Sequence, residues 1–246
     1  MNEYEEKFMK AFDKLCKTRN AWQAWTDFVN AAAISISNIV DTDNYEQREA
    51  AYMSIASGYT SEEMKNVARL MAITVMALEK DPEQDFLGSM FMKLSLGSNL
   101  HGQFFTPYHV CQLMAGIEKE AIVEEIKQNG HMTVNEPACG AGANVIAIRA
   151  EVVKAGYDPD KRMFAIAQDI ERNSAMMCYI QLSFLNVPGY VVVGDTLSSA
   201  IKGNILAPKF PAEYEVWTLP ATLMNLEWLI RRKISGQRNK LRTADV

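Results

Sequence analysis

The chain has 246 residues, of which 48% are hydrophobic, so it can bury the core of one large domain or two small ones. This composition excludes a globally disordered protein. The formal net charge of −5 argues against a protein that wraps nucleic acid by itself, because such proteins are usually basic.

The cysteines and the first residues indicate the cell compartment in which the protein is expected. Cys16, Cys111, Cys139 and Cys178 are widely scattered and form no CxxC pair, so no zinc site is expected. This pattern favours a reduced, cytoplasmic protein. The acidic start lacks the apolar region of a signal peptide, and no uncharged apolar run approaches the ~18–20 residues of a membrane span.

Residues 1 to about 100 are predicted to be helical. Phe8, Phe12 and Leu15 recur at the spacing of one helix face, with charged residues between them. Thr60 is followed by Ser61 and then by two glutamates, a pattern typical of a helix start. Apolar and polar residues do not alternate in this region, so no strand is predicted there.

The pattern changes near residue 100, and we predict two domains, 1–100 and 101–246. The second part contains short apolar runs that alternate with helical stretches. We predict strands at 132–135, 163–167 and 190–193, a fourth candidate strand at 214–217, and helices at 143–155 and about 172–185. Such alternation implies right-handed crossovers and a parallel sheet, so the expected fold class is α/β and Rossmann-like.

A glycine-rich turn is expected after the first predicted strand. Residues 135–142 read Asn-Glu-Pro-Ala-Cys-Gly-Ala-Gly, and the two glycines allow a sharp turn and the close approach of a ligand. The helix that follows offers free N–H groups at its N-terminus. A lone Gly-x-Gly turn is often only structural, whereas the longer string after a strand is much more specific for a ligand loop.

Acidic residues follow the next two predicted strands. Asp169 ends the second strand, where an acid can accept hydrogen bonds from both ribose hydroxyls of a nucleoside. Asp195 follows the third strand in a Gly-Asp-Thr-Leu segment. The alternative interpretations are a helix cap for Asp169 and a turn residue for Asp195.

A second segment, 102–107, reads Gly-Gln-Phe-Phe-Thr-Pro and lies upstream of the glycine turn. In this order, the two segments resemble motifs of the amino-methyltransferases that act on DNA adenine, especially the modification subunits of type I restriction systems. The resemblance spans residues 102 to about 197. It implies an abbreviated Rossmann-like methyltransferase domain after the helical N-terminal region, with S-adenosylmethionine as its cofactor. The cofactor-binding residues that it implies are Phe104, Phe105, Thr106, Pro107, Glu136, Pro137, Cys139, Gly140, Gly142, Asp169, Ile170 and Asp195.

The resemblance also implies roles for these residues. The glycine turn wraps the methionine part of the cofactor, and Glu136, where the family usually has Asp, holds the amino group. Thr106 contacts the carboxylate, while Phe104 and Phe105 form walls of the pocket. Asp195 faces the adenine amino group.

One motif of the family is missing. In the family, the fourth strand ends in Asn-Pro-Pro-Tyr or Asn-Pro-Pro-Phe, which holds the target amino group and stacks on the flipped base. Here residues 218–221 read Thr-Leu-Pro-Ala, with no amide or aromatic side chain in register. Trp217 is out of position for stacking and is interpreted as a core residue. The 26 residues after Pro220 are too few for the remaining strands and a target-recognition region.

The sequence therefore leaves three functions open: a DNA adenine-N6 methyltransferase-like protein of doubtful catalytic competence, a non-catalytic sensor or assembly module of a restriction-modification or mobile-element system, and one half of a split methyltransferase. DNA could be contacted through a partner or through a basic C-terminal segment, which is otherwise a solvated end. That segment contains Arg231, Arg232, Lys233, Arg238, Lys240 and Arg242. A protein partner or a homo-oligomer is also expected, and a membrane or a metal is not.

Overall fold

The computed structural model of the protein describes residues 2–96 and 105–244, with side chains to residue 237. The N-terminal part is helical, as predicted. It contains α1 (Glu3–Leu15), α2 (Ala21–Val40), α3 (Tyr45–Ser57), α4 (Ser61–Lys80) and α5 (Phe86–Lys93). Phe8, Phe12 and Leu15 are buried. Thr60 caps α4, and Glu63 completes a reciprocal capping box, so the predicted helix start is confirmed.

The second part alternates strands and helices. In chain order it contains α6 (Tyr108–Ile117), α7 (Lys119–Asn129), β1 (Met132–Glu136), α8 (Ala143–Lys154), α9 (Pro159–Arg162), β2 (Met163–Asp169), α10 (Arg172–Phe184), β3 (Gly189–Val193), β4 (Lys202–Asn204), β5 (Ala207–Lys209), β6 (Glu215–Thr218), α11 (Pro220–Met224) and α12 (Leu226–Ala244). The first three predicted strands and the two predicted helices are confirmed. The hairpin of β4 and β5 was not predicted, because its strands have only three residues each.

The main sheet has the strand order β1-β2-β3-β6. The pairs β1–β2 and β2–β3 are parallel, as predicted, whereas β6 is antiparallel to β3. The expectation of a wholly parallel sheet is therefore wrong for the fourth strand. The connection from β3 to β6 contains the β4–β5 hairpin, and an antiparallel neighbour needs no helical crossover. Because of this direction, β6 ends with Thr218 beside Tyr190, near the start of β3.

Helices cover one face of the sheet, and α12 and the β4–β5 hairpin cover the other. Phe8 and Trp25 of the N-terminal helices share one hydrophobic cluster with Ala165 of β2. On the opposite face, Phe164 packs against Trp228 of α12, with ring centres 5.1 Å apart. The boundary near residue 100 lies outside the described residues, so the division into two domains stays a prediction. Within the described part of the chain, no helix is long and apolar enough to span a membrane.

One buried amide connects α5, α10 and the glycine turn. Gln181 of α10 is fully buried. Its Oε1 accepts a hydrogen bond from the Leu87 N–H at 3.0 Å, and its Nε2 donates to Asp85 Oδ1 and to the Ala141 carbonyl, each at 2.8 Å. Buried hydrogen bonds of this kind are strong in a low dielectric and costly to leave unmade. Gln181 therefore holds the start of α5 and the glycine turn in a defined relative position.

Candidate functional site

A cavity of about 490 Å³ lies at the carboxyl ends of β1 and β2. Ligands bind at this edge in open α/β sheets, and small-molecule sites typically have volumes of ~300–1,000 Å³. Its walls come from the start of α5, the segment before α6, the glycine turn, and the loop after β2. The predicted site residues that line it are Phe105, Thr106, Cys139, Gly140, Asp169 and Ile170.

The two motif segments meet at the glycine turn. Gly140 and Gly142 have φ angles of +52° and +99°, which favour glycine. The Gly142 N–H donates to the Cys139 carbonyl, and the Cys139 N–H donates to the Gln168 carbonyl of β2, each at 2.8 Å. A Cβ added to Gly140 would lie 2.9 Å from Cδ1 of Phe105. Phe105 therefore rests directly on the turn.

Asp169 organises the turn as well as lining the cavity. Its Oδ2 accepts a hydrogen bond from the Gly140 N–H at 2.8 Å, and its Oδ1 accepts one from the Glu171 N–H at 2.9 Å. Burial raises the pKa of this carboxyl, and the two N–H groups oppose that rise. Each carboxylate oxygen can accept a further hydrogen bond. The alternative interpretation of Asp169 as a helix cap is wrong, because Glu171 caps α10 by accepting from the Ser174 N–H.

Glu136 does not line this cavity. Its Oε1 accepts a hydrogen bond from the Ala138 N–H at 3.2 Å, and its Oε2 accepts one from Asn144 Nδ2 at 3.0 Å. It lines an adjoining cavity of about 250 Å³ together with Cys111. Cys111 and Asn144 line both cavities, so the two are neighbours.

The remaining predicted residues that the structure describes do not line the main cavity. Asp195 Oδ1 accepts a hydrogen bond from the Leu197 N–H at 2.9 Å, the geometry of its alternative role as a turn residue. The Pro137 carbonyl accepts a hydrogen bond from the Thr196 hydroxyl at 2.8 Å, which ties the glycine turn to the loop after β3. Pro107 lies at the N-cap position of α6. Phe104 lies outside the described residues.

Several lining residues were missed by the sequence analysis. Asp85, Asn144, Glu171 and Ser174 all contribute to the cavity wall. Asp85 is the N-cap of α5, where its Oδ1 accepts a hydrogen bond from the Gly88 N–H at 2.9 Å. An acid before an apolar helix is a recognisable cap signal. Nothing in the sequence, however, indicates that this cap faces a cavity formed mainly by residues 20 to 90 positions later.

The segment at the end of β6 lies near the amino end of β3, whereas the cavity lies at the carboxyl ends of β1 and β2. The Leu219 N–H donates to the Gly189 carbonyl at the start of β3, at 3.0 Å. Trp217 is 0% exposed, and the guanidinium carbon of Arg48 lies 4.0 Å from the centre of its ring. The interpretation of Trp217 as a core residue is confirmed. Neither Trp217 nor any of residues 218–221 lines the cavity.

The basic C-terminal segment belongs to α12. Arg231 Nη2 lies 2.5 Å from Glu227 Oε1, and the Arg232 guanidinium carbon lies 5.1 Å from the centre of the Tyr190 ring. These two residues thus have partners within the fold. The side chains of Arg238, Lys240 and Arg242 lie outside the described residues.

The chain was compared with known protein families, curated proteins and solved structures. The family of N-6 DNA methylases matches residues 86–208, half of the 246-residue chain. A solved structure of a putative class I S-adenosylmethionine-dependent methyltransferase from Listeria monocytogenes is similar with a TM-score of 0.43 and 12% sequence identity. The match covers 97% of this chain and 70% of that one. No curated protein sequence matches the chain.

The two glycines should respond differently to substitution. In Gly140→Ala the new Cβ would displace Phe105 from the cavity wall, whereas in Gly142→Ala it would lie 3.0 Å from Sγ of Cys178 in the core. We expect Gly140→Ala to weaken the binding of S-adenosylmethionine, and Gly142→Ala to lower the free energy of unfolding by about 1–3 kcal/mol. Calorimetric titration and urea denaturation measure the two effects.

Gly156→Ala is the matched control, because Gly156 has a φ of +83° but no atom within 4 Å of its added Cβ. It should lose stability through backbone strain and keep its ligand affinity. Unchanged affinity in Gly140→Ala would remove the glycine turn from the binding site.

Proposed function

The chain belongs to the N-6 DNA methylase family, and on this basis we propose that it binds S-adenosylmethionine in the cavity at the carboxyl ends of β1 and β2. One observation carries the proposal: the two motif segments and the acid after β2 meet at one turn. Phe105 rests on Gly140, and Asp169 accepts the Gly140 N–H at 2.8 Å. The cavity of about 490 Å³ lies within the usual range for a small-molecule ligand.

The residues of the cavity fit the parts of this cofactor. The free acceptor positions of Asp169 suit the ribose hydroxyls, and the exposed side chain of Ile170 offers apolar surface to the adenine ring. The Thr106 hydroxyl suits the carboxylate of the methionine part. Gly140 leaves no side chain between the turn and the ligand. When bound, the cofactor supplies an electrophilic methyl group.

The charge of the cavity also favours this cofactor. Asp85, Asp169 and Glu171 line it, and no Lys, Arg or His is among its described lining residues. S-adenosylmethionine carries a sulfonium and an ammonium group against one carboxylate, so it complements an acidic wall. A dinucleotide would bring phosphate groups into the same place, where the carboxylates would repel them.

We further propose that the protein is related to DNA adenine-N6 methyltransferases and does not transfer a methyl group to DNA by itself. Enzymes of this kind extrude the target base and hold it in a pocket next to the cofactor. Residues 218–221 occupy the place of the family's catalytic motif in the sequence. They begin near the amino end of β3, however, whereas the cavity lies at the carboxyl ends of β1 and β2. Trp217 is buried under Arg48 and offers no stacking surface.

One observation favours a split methyltransferase over a sensor or assembly module. Among the described strands, β1 pairs only with β2, so its outer edge is open next to the cofactor cavity. An edge strand presents unpaired backbone N–H and C=O groups that can pair with a strand of another chain. The Thr133 N–H on β1 is bonded instead to Oε1 of Glu125, at 3.0 Å. A strand from a partner could pair along this edge and bring the missing motif, and DNA would then be contacted through the partner or through α12.

Cofactor binding is the first test. We expect calorimetric titration to show a micromolar dissociation constant for S-adenosylmethionine or its demethylated product, worth about 7–8 kcal/mol. Asp169→Asn should weaken binding by about 1.5–3 kcal/mol, because an amide NH₂ would face one of the two backbone N–H groups and the ribose would lose its charged acceptor.

Asp158→Asn is the control, because Asp158 caps α9 away from the cavity. Its affinity should equal that of the unmodified protein. Absence of both heat and a thermal shift with the unmodified protein would contradict the cofactor proposal. Equal affinities for Asp169→Asn and the control would remove Asp169 from the site.

Methyl transfer is the second test. We expect the isolated protein to incorporate tritiated methyl into mixed-sequence duplex DNA at background level, even at low salt. The loss of one positioned transition-state group typically lowers the rate by about 10²–10³, and here the whole motif is absent from the cavity. A heat-inactivated sample gives the background, and a methyltransferase with the complete motif is the positive control. Robust incorporation by the purified chain would contradict this proposal and show that the chain is an active DNA methyltransferase by itself.

A further inference from the structure

Asp85 is a buried carboxyl group, and one of its oxygens has no hydrogen-bond partner among the residues that the structure describes. The side chain is 5% exposed and lines the cofactor cavity. Its Oδ1 accepts hydrogen bonds from the Gly88 N–H at 2.9 Å and from Gln181 Nε2 at 2.8 Å. Its Oδ2 accepts none from the residues that the structure describes. Within the described part of the chain, the helix cap and the link to Gln181 thus use Oδ1 only, which leaves the acceptor positions of Oδ2 to a ligand.

A buried carboxylate normally has a positive partner. Removing a charge from water costs several kcal/mol unless an opposite charge or several hydrogen bonds replace the lost hydration. No basic side chain of the described residues forms an ion pair with Asp85, and burial raises the pKa of its carboxyl. Burial of this carboxylate without a positive partner therefore lowers the free energy of unfolding of the protein alone. Such a cost is expected for a group that binds a cation in the complex.

Asp85 lies on the side of the cavity where the methionine part of the cofactor is expected. It shares the wall with Phe105, Thr106 and Cys111, which belong to or follow the motif segment before α6. Burial, and then the nearby charge of Asp85, raises the pKa of the Cys111 thiol. Asp169 is at the end of β2, on the side assigned to the ribose.

We propose that Asp85 Oδ2 accepts a hydrogen bond from the α-ammonium group of S-adenosylmethionine. This inference rests on the proposed function and adds a specificity-determining residue to it. Glu136, to which the family resemblance assigns the amino group, lines the adjoining cavity and not the one that Asp85 lines. Gln181 donates to both Asp85 and the Ala141 carbonyl, so the acid and the glycine turn keep a fixed relative position in the cavity wall.

The variant Asp85→Asn isolates the free oxygen. An asparagine keeps the Oδ1 acceptor for Gly88 and Gln181, and it caps helices as well as aspartate does. It replaces only Oδ2, by an NH₂ group that cannot accept a proton from an ammonium. Asp85→Ser is a second neutral variant that also retains the cap. Thermal denaturation establishes that each variant is folded.

Three probes separate the parts of the cofactor: S-adenosylmethionine, S-adenosylhomocysteine, which lacks the sulfonium charge, and 5′-methylthioadenosine, which lacks the whole amino-acid part. In calorimetric titrations, both Asp85 variants should bind the first two about tenfold to a hundredfold more weakly than the unmodified protein does. Their affinity for 5′-methylthioadenosine should change by less than about twofold. Asp158→Asn should change none of the three affinities.

Other outcomes overturn the inference in distinguishable ways. If the unmodified protein binds none of the probes, the proposed function falls and the inference falls with it. If the unmodified protein binds S-adenosylmethionine and the Asp85 variants bind it equally well, only the inference falls. A loss confined to S-adenosylmethionine would place Oδ2 at the sulfonium and contradict the ammonium assignment. An equal loss for all three probes would make Asp85 a structural residue.

Discussion

Two side chains hold the backbone of the glycine turn, and the candidate site depends on them. Asp169 accepts the Gly140 N–H at 2.8 Å, and Gln181 donates to the Ala141 carbonyl at 2.8 Å. Gly140 can adopt its left-handed φ of +52° without the strain that a Cβ would bring. Since Asp169 belongs to β2 and Gln181 to α10, the turn is fixed to the sheet on one side and to the helical layer on the other.

This arrangement puts acids where a cation is expected to bind. Asp85 and Asp169 both take part in holding the turn, directly or through Gln181, and both line the cavity. Pre-organised groups of this kind bind a ligand without the cost of ordering loops at the moment of binding. At the opposite end of the strands, Trp217 and Leu219 are buried in the core.

The sequence predicted those parts of the site that depend on local pattern. The strand before residue 136, the glycine turn and the acid after β2 are neighbours in sequence or follow fixed positions in a strand–helix repeat. Asp85 was missed because its place in the cavity depends on a contact with Gln181, 96 residues away. The direction of β6 was missed because a run of four residues carries no information on which neighbour it will pair with.

The central claim is that one cavity, built around the glycine turn, receives S-adenosylmethionine. A crystal structure of the chain with S-adenosylhomocysteine tests this claim most directly. The account predicts the ribose hydroxyls within hydrogen-bond distance of Asp169, the adenine against Ile170, and the amino-acid part between Thr106 and Asp85. Density for the ligand at another place, or a ribose turned away from Asp169, would contradict it.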